Sequence, residues 1–473
     1  MAKIPCEEVV FHPSSFADPS GRLFWWNGQL YRAVARERAP LYRELFSKGI
    51  EQGLIQKELI VETELTSLEL DSYEMVMKHR SIPFVSYPYE WCMPMLRDGA
   101  LLILDLELEL SRHGFTLQDA HPWNILFDGP TPFYVDFGSI VETKPDSFWP
   151  AYDQFCRFFL HPLLVMARGH GRMARWLLHD IGYGVLDSEL KALTGRGAKS
   201  LSMIGLATLI RSIGKQVVPK ALKQRLREQI YKVKSRVPPS AIFPQQYRLA
   251  ALRRLRRQIA EIPIPRRQSE WSIYYDNSFP SFSQSNEWTV KHQNVFKTLE
   301  RLQPKTVLDI ASNQGWYSQL ASRQGMKVVA IDRDEACMES LYRVAKGNGH
   351  YILPLLMDFR NPAPGYGICN EWFSPATERL RCDMVLALAL VHHLVFKQTL
   401  NFDQIVRGLS IFSKRWLLVE FVPAEDRYVR TWWSDRFHWY NANNFRRALE
   451  VHFSNVSFFP SYPEPRQLIL CEK

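Results

Sequence analysis

KTVLDIASNQGWYSQLASRQGMKVVAIDRD, Lys305–Asp334, is the stretch on which the fold turns. Val307, Leu308 and Ile310 make a short β-branched apolar run, the pattern of a strand buried on both faces rather than of one with an alternating wet face. A turn of small and polar residues follows, Ala311–Gly315, then a helical segment, then a second apolar strand at Lys327–Ile331 that ends in Asp332. A strand, turn, helix and strand in this order form half of a doubly wound α/β layer, whose ligands sit where the parallel strands end. Gly315 allows a positive φ or a close backbone approach. The helix behind it aims its free N–H groups into the crevice. Asp332 stands roughly 20 residues past the first strand, where an acid accepts hydrogen bonds from ribose hydroxyls. A dinucleotide site needs G-x-G-x-x-G; the turn here is A-S-N-Q-G, which excludes ordinary NAD or FAD binding. A plain βαβ unit without a ligand is the bland alternative.

Further apolar strands follow. His350–Arg360 (HYILPLLMDFR) ends in Asp358, and DMVLALAL (Asp383–Leu390) runs into Val391-His392-His393-Leu394. RWLLVEFV (Arg415–Val422) is a fifth strand. RQLILCEK (Arg466–Lys473) and VSFFPS (Val456–Ser461) read as a terminal pair. The turn resembles motif I of class I S-adenosylmethionine-dependent methyltransferases, the D-x-G-x-G-x-G loop, with Ala311 and Asn313 where glycines are usual. The resemblance covers about residues 268–473. It implies that Asp309 orients the loop and the methionine amino group, that Asn313 and Gly315 line the methionine side, and that Asp332 binds the ribose. It further implies that Asp358 holds the adenine amino group, that the strand end before His392 faces the transferring methyl, and that the terminal strands pair antiparallel.

His392 and His393 are candidate general bases, because imidazole titrates near neutral pH; the alternative is that one caps the strand and packs. Their spacing from Asp358 and Asp383 matches no ordinary metal-ligand set. Glu420 and Asp426 fall on the substrate side of the inferred fold and are candidates for substrate contact. Trp271–Lys291, rich in aromatic and hydroxyl side chains, reads either as a lid over the cofactor or as a packing segment.

The first half carries a second signature. LQDAHPWNILFDGPTPFYVDFG (Leu117–Gly138) places Asp119 and Asn124 at the spacing of the H-R-D-x-x-x-x-N loop, with Asp136-Phe137-Gly138 behind. Phosphoryl transfer needs these types: one carboxylate takes the proton of an attacking hydroxyl, while an amide and a second carboxylate hold magnesium against the phosphates. D-A-H-P-W-N-I-L resembles the loop of aminoglycoside-phosphotransferase-like and protein-kinase-like domains. That resemblance implies Asp119 as the base, Asn124 and Asp136 as magnesium ligands, and ATP as cosubstrate. Upstream there is no G-x-G-x-x-G. Leu23–Val34 reads as a hairpin turning at Asn27-Gly28, and Arg32 or Lys57 would have to stand in for the missing lysine of the third strand. A scaffold that binds without transferring phosphate is the alternative.

Composition sets the outer bounds. A chain of 473 residues with 46% hydrophobic and 23% charged residues has room for two or three domains with full cores. The seven cysteines are scattered, with no C-x-x-C, which argues against zinc and disulfides and for a reducing cytoplasm. No apolar run reaches the ~20 residues that span a bilayer, and the first residues lack the apolar core of a secretory signal. The net charge of +10 is concentrated in Lys215–Arg236, where many Lys and Arg face the single acid Glu228. Val217, Leu222, Leu226, Ile230 and Val233 fall near one helical face. A solvated linker helix is the plain reading. Contact with an anionic membrane surface is the second, and nucleic-acid binding, with no recognition motif beside the charge, is the least favoured.

The division expected is a kinase-like domain at 1–164, a helical basic bridge at 165–267 and a class I methyltransferase domain at 268–473. The fold class is α/β: a C-terminal Rossmann-like methyltransferase sheet, preceded by an α+β kinase-like domain and the bridge. With S-Y-P-Y-E-W at Ser86–Trp91, the combination resembles bacterial two-part methyltransferases, including NoeA-like proteins. This implies a cytoplasmic S-adenosylmethionine-dependent methyltransferase acting on a small-molecule, glycan or lipid acceptor. A small-molecule kinase whose second domain only binds, and a scaffold with both sites degenerate, are the rivals.

Overall fold

The computed structural model describes residues 2–15, 18–144, 148–195, 245–273, 280–283 and 285–473. The basic segment Lys215–Arg236 lies outside the described residues.

In the first half, five antiparallel strands form one sheet: β1 Val10–Phe11, β2 Gly21–Trp26, β3 Gln29–Val34, β4 Thr63–Leu65 and β5 Met75–His79, in the order β1-β2-β3-β5-β4. The hairpin between β2 and β3 turns at Asn27 (φ 49°) and Gly28 (φ 69°), the two positive angles that a tight hairpin matched to strand twist requires. Helices α1 (Ala39–Ser47) and α2 (Ile50–Gln56) pack beside this sheet. Helix α3 (Met93–Arg112) then carries a nearly continuous buried face from Met93 to Leu110. It delivers the chain to a short strand, β6 Phe115–Leu117, to the loop containing Asp119 and Asn124, and to the hairpin β7 Ile125–Asp128 and β8 Thr131–Tyr134. After Asp136-Phe137-Gly138, β9 Ile140–Glu142 pairs back onto β6.

The second half is a seven-stranded sheet of β10 Thr306–Ile310, β11 Lys327–Asp332, β12 Ile352–Leu356, β13 Cys382–Ala387, β14 Ser413–Phe421, β15 Asn455–Pro460 and β16 Gln467–Glu472. Its order is β12-β11-β10-β13-β14-β16-β15, and β16 is the one strand that runs opposite to the other six. This is the Rossmann-like α/β sheet with an antiparallel terminal pair that the resemblance implies. Both faces are covered, which is why the strands read as unbroken apolar runs. On one face Val307, Val328, Ala330 and Leu386 pack under α9 (Val290–Leu302), α10 (Trp316–Arg323) and α11 (Glu335–Asn348). On the other face Leu308, Val329, Val385 and Leu417 belong to one core with Leu96, Ile103 and Phe127 of the first half. No helix among the described residues is long and apolar enough to cross a membrane.

Candidate functional site

Three residues of the turn after β10 lie in the left-handed region: Ala311 (φ 58°), Asn313 (φ 53°) and Gly315 (φ 72°). These are the three glycine positions of D-x-G-x-G-x-G. The backbone is left-handed at all three, although two of them are not glycine. An alanine there carries about 1 kcal/mol or more of steric strain, and such strain collects at functional sites. Asparagine tolerates the conformation, and Asn313 Oδ1 accepts the N–H of Gln314 at 2.6 Å.

Asp332, at the end of β11, fixes this turn. Its Oδ2 accepts the N–H of Asn313 and its Oδ1 that of Asp334, both at 2.9 Å. Asp309 is 3% exposed and accepts Ser318 Oγ at 2.6 Å. Burial, with Asp332 adding, pushes the Asp309 carboxyl up to about 7. Asp358 lies past the end of the adjacent strand β12, and Met357 N–H donates to Asp332 O, so the two strand ends meet. Burial would raise the Asp358 carboxyl, but hydrogen bonds and charge from Arg360 outweigh it and hold it below the usual value. Asp309, Asn313, Gly315, Asp332 and Asp358 thus converge on the C-terminal ends of three neighbouring strands, where ligands of open α/β sheets bind.

Trp271 and Ser272 lie across the turn. The Trp271 carbonyl accepts Asn313 Nδ2 at 3.1 Å, and the Ser272 carbonyl accepts Gln314 Nε2. Farther along, Pro280 O accepts Trp316 Nε1 at 3.0 Å and Phe282 stacks on the Trp316 ring. The segment divides its work: its start covers the turn and its later part packs on α10.

His392 and His393 open α13 (Val391–Phe396) directly behind β13. His392 is 3% exposed, and its Nδ1 is buried with no hydrogen-bond partner. Burial, with His393 and two cations adding, keeps it neutral far below its ordinary range. His393 is half-buried and meets the Trp271 ring edge-on at 5.4 Å. Burial first, then Lys397, Arg333 and Arg466, lower it to about 4. Trp432, at the end of α15 (Arg427–Trp432), closes the same patch 5.3 Å from His393. A cavity of about 240 Å³ lined by Ala424, Glu425, Arg430 and Trp433 opens beside it.

Glu420 and Asp426, expected as candidates for substrate contact, are both buried and engaged within the fold. Glu420 is fully buried and accepts from Lys291 Nζ (2.7 Å), Ser461 Oγ (2.5 Å) and the N–H of Ala389 (2.9 Å). It therefore holds the turn that presents His392. Asp426 caps α15 through the N–H of Tyr428 and pairs with Arg466 at 2.8 Å. Lys291 and Ser461 carried no local signal in the sequence, since their partner is distant in the chain.

In the first half, Asn124 Nδ2 donates to Asp136 Oδ2 at 3.4 Å. Asp119 accepts the N–H of His121 on Oδ1 at 3.0 Å, so the loop is tied through its own carboxylate. Arg32, on β3, reaches Asp136 at 3.3 Å and also pairs with Asp18. Lys57 instead pairs with Glu109 at 2.7 Å. Of the two cations considered for the third-strand position, Arg32 is the one at the site. Burial pushes the Asp136 carboxyl up to about 6 against the pull of Arg32. Asp18 comes from the β1–β2 connection. It places a carboxylate on the arginine.

No family model matches the chain. Nodulation protein NoeA of Rhizobium meliloti (strain 1021) is 28% identical over 445 residues, covering 92% of this chain and 90% of that protein. The chain resembles the NoeA-like two-part proteins. Among solved structures, the bifunctional kinase-methyltransferase WbdD shares 17% identity at a TM-score of 0.30, over 46% of this chain and 45% of that one, so the chain spans less than half of that structure. Magnesium protoporphyrin IX methyltransferase of Synechocystis PCC 6803 with bound SAM shares 14% at 0.30, over 43% of this chain and 89% of that one.

Proposed function

We propose that the C-terminal domain is a S-adenosylmethionine-dependent methyltransferase acting on a small-molecule, glycan or lipid acceptor. The observation that carries this is the turn Ala311–Gly315, held by Asp332 and left-handed at three positions, as a glycine-rich loop requires, although only Gly315 is a glycine. A structural turn has no need to retain that strain. The residues fit the cofactor: Asp332 for ribose hydroxyls, Asp358 beside it for an amino group, and Asp309 behind the turn. Bound there, S-adenosylmethionine supplies an electrophilic methyl on a sulfonium. The chain's own part is alignment, which contributes most of the acceleration in such a transfer. Trp271 and Trp432 wall the space beside His393 and exclude water. In this reading His393, neutral above about pH 4, takes the proton of an acceptor hydroxyl or amine. Calorimetry with S-adenosylmethionine tests the reading: wild type binds, and Asp332→Ala weakens binding at least tenfold, about 1.4 kcal/mol. Equal affinity in the variant removes the assigned site.

A small-molecule kinase is the second reading, favoured by the contact of Asn124 with Asp136 below Arg32. Mg-ATP titration of wild type and Asp136→Ala decides it. Binding that the variant abolishes makes the first half a nucleotide site, and no binding leaves it a scaffold.

A further inference from the structure

Three residues past Asp332, Glu335 opens α11 and ties the second half to the rest of the chain. Its carboxylate, 13% exposed, receives Arg175 Nη1 at 2.6 Å and Nη2 at 3.2 Å, and also Arg267 Nη1. Arg175 stands on the helix Gly171–Leu177 that follows the kinase-like core. Arg267 follows α8 (Gln245–Glu261) and donates besides to Met166 O at 3.3 Å. The clamp is tightly packed: a Cβ on Gly171 would lie 2.9 Å from the Glu335 carboxylate and 3.0 Å from the Arg267 guanidinium.

Both ends of the segment from Arg267 are anchored. Upstream, α8 is fastened to α3: Arg256 grips Asp105 with two bonds, Arg248 is buried against Glu107 and Thr116, and Gln245 donates to Ser111 O. Downstream, Ser269 and Ser272 exchange backbone-to-hydroxyl hydrogen bonds that close a turn. Directly there, the carbonyls of Trp271 and Ser272 take the side chains of Asn313 and Gln314.

We propose that Arg267 and Arg175 are cofactor-positioning residues. By gripping Glu335 they hold residues 267–272 across the Ala311–Gly315 turn and set Trp271 as the wall between that turn and His393. The cofactor site of the second half is then complete only with the first half docked against it. Arg175 acts on the position of α11, and through Asp334 and Asp332 on the turn. Arg267 acts on the strap itself. This inference rests on the methyltransferase reading for its ligand, while the strap's placement is testable without it.

The test uses the full chain with two readouts. In calorimetry, Arg267→Ala weakens S-adenosylmethionine binding at least fivefold, the lower range of coupling between distinct sites, Arg267→Lys returns most of the affinity, and Arg175→Gln falls between them. In hydrogen–deuterium exchange without ligand, Arg267→Ala speeds the amides of 268–273 and 312–316, with little change in β10 and β13. Wild-type affinity in Arg267→Ala, or unchanged exchange over the strap and turn, overturns the proposal. A wild type that binds no S-adenosylmethionine sinks the functional reading, and the exchange result then decides the positioning role alone. Should Arg267→Ala not fold, Arg267→Lys and Arg175→Gln carry both measurements; wild-type behaviour of both overturns the proposal.

Discussion

Ala311 holds a backbone angle against its own preference. Its φ of 58° is one that alanine resists, and it is kept because Asp332 pins the next residue but one. Ala311→Gly should release that strain, offset in part by the greater freedom of glycine in the unfolded chain. The expected gain is up to about 1 kcal/mol, read as a higher melting temperature with unchanged cofactor affinity; a lower melting temperature would show that the alanine methyl packs usefully. Two neighbours make pH statements. Asp309 is raised from 3.8 to about 7, mainly by burial. Between those values the folded protein holds a proton that the unfolded chain has released, so this group's contribution to stability falls as pH rises through the window. Asp309→Asn should therefore lose less melting temperature than wild type between pH 5 and pH 8. Identical slopes would mean that the carboxyl ionises freely in the fold. His393, lowered to about 4, is already neutral through the range where a free histidine titrates. If it takes the acceptor's proton, kcat/KM has its acid limb near pH 4 and is level from 6 to 7. A limb near 6.5 that survives in His393→Ala would assign the proton to another group.

The elements were the most legible part of the sequence. Six of the seven strands of the C-terminal sheet announce themselves as apolar runs, because a strand covered on both faces has no polar side to interrupt it; the edge strand β15, NVSFFP, has no buried residue and reads more weakly. Their order could be expected only through the resemblance, since nothing in a run of Val and Leu says which neighbour it pairs with. The turn after β10 was legible from one glycine and two flanking acids. The role of Glu420 was not: as an acid at a strand end it looked ready for substrate, and only its fold partners Lys291 and Ser461 reveal a buried tie. That tie joins α9, β14 and the end of β15 under the turn that presents His392. Lys291→Met would leave Glu420 buried without its cation, a loss of about 3–5 kcal/mol, seen as a fall in the denaturation midpoint. Lys291→Met with Glu420→Gln should recover much of it, because the amide still accepts from Ala389 and no charge remains to bury. Failure of the double variant to recover would mean that the ion pair itself, and not the stranded charge, holds the element in place.

At the scale of the molecule, two chemical signatures far apart in sequence share one interior. The two halves meet through Trp123 of the Asp119–Asn124 loop on Phe373 at 4.5 Å, and through Tyr342 of α11 on Asp98 of α3 at 2.6 Å, with Lys346 on the same carboxylate. None of this was legible beforehand, because an interface between distant segments has no local period. The pairing of Arg379 with Glu90 is its most buried ion pair among those described, with side chains 4% and 2% exposed. Arg379 also donates to Val85 O at 2.6 Å and lies over the Tyr87 ring. Burial raises the Glu90 carboxyl even with the arginine present, so removing the cation leaves a group that must either stay charged in the dry interface or take up a proton. Because the halves share a core, the wild type should unfold in one calorimetric transition. Arg379→Ala should cost about 3–5 kcal/mol at the interface and resolve two transitions, since each half keeps its own sheet and helices. Glu90→Gln added to it should draw the two transitions back together by removing the stranded charge. One transition at the wild-type temperature in Arg379→Ala would place the coupling of the halves in their apolar contacts, and would leave the Arg267 strap as the polar link to examine next.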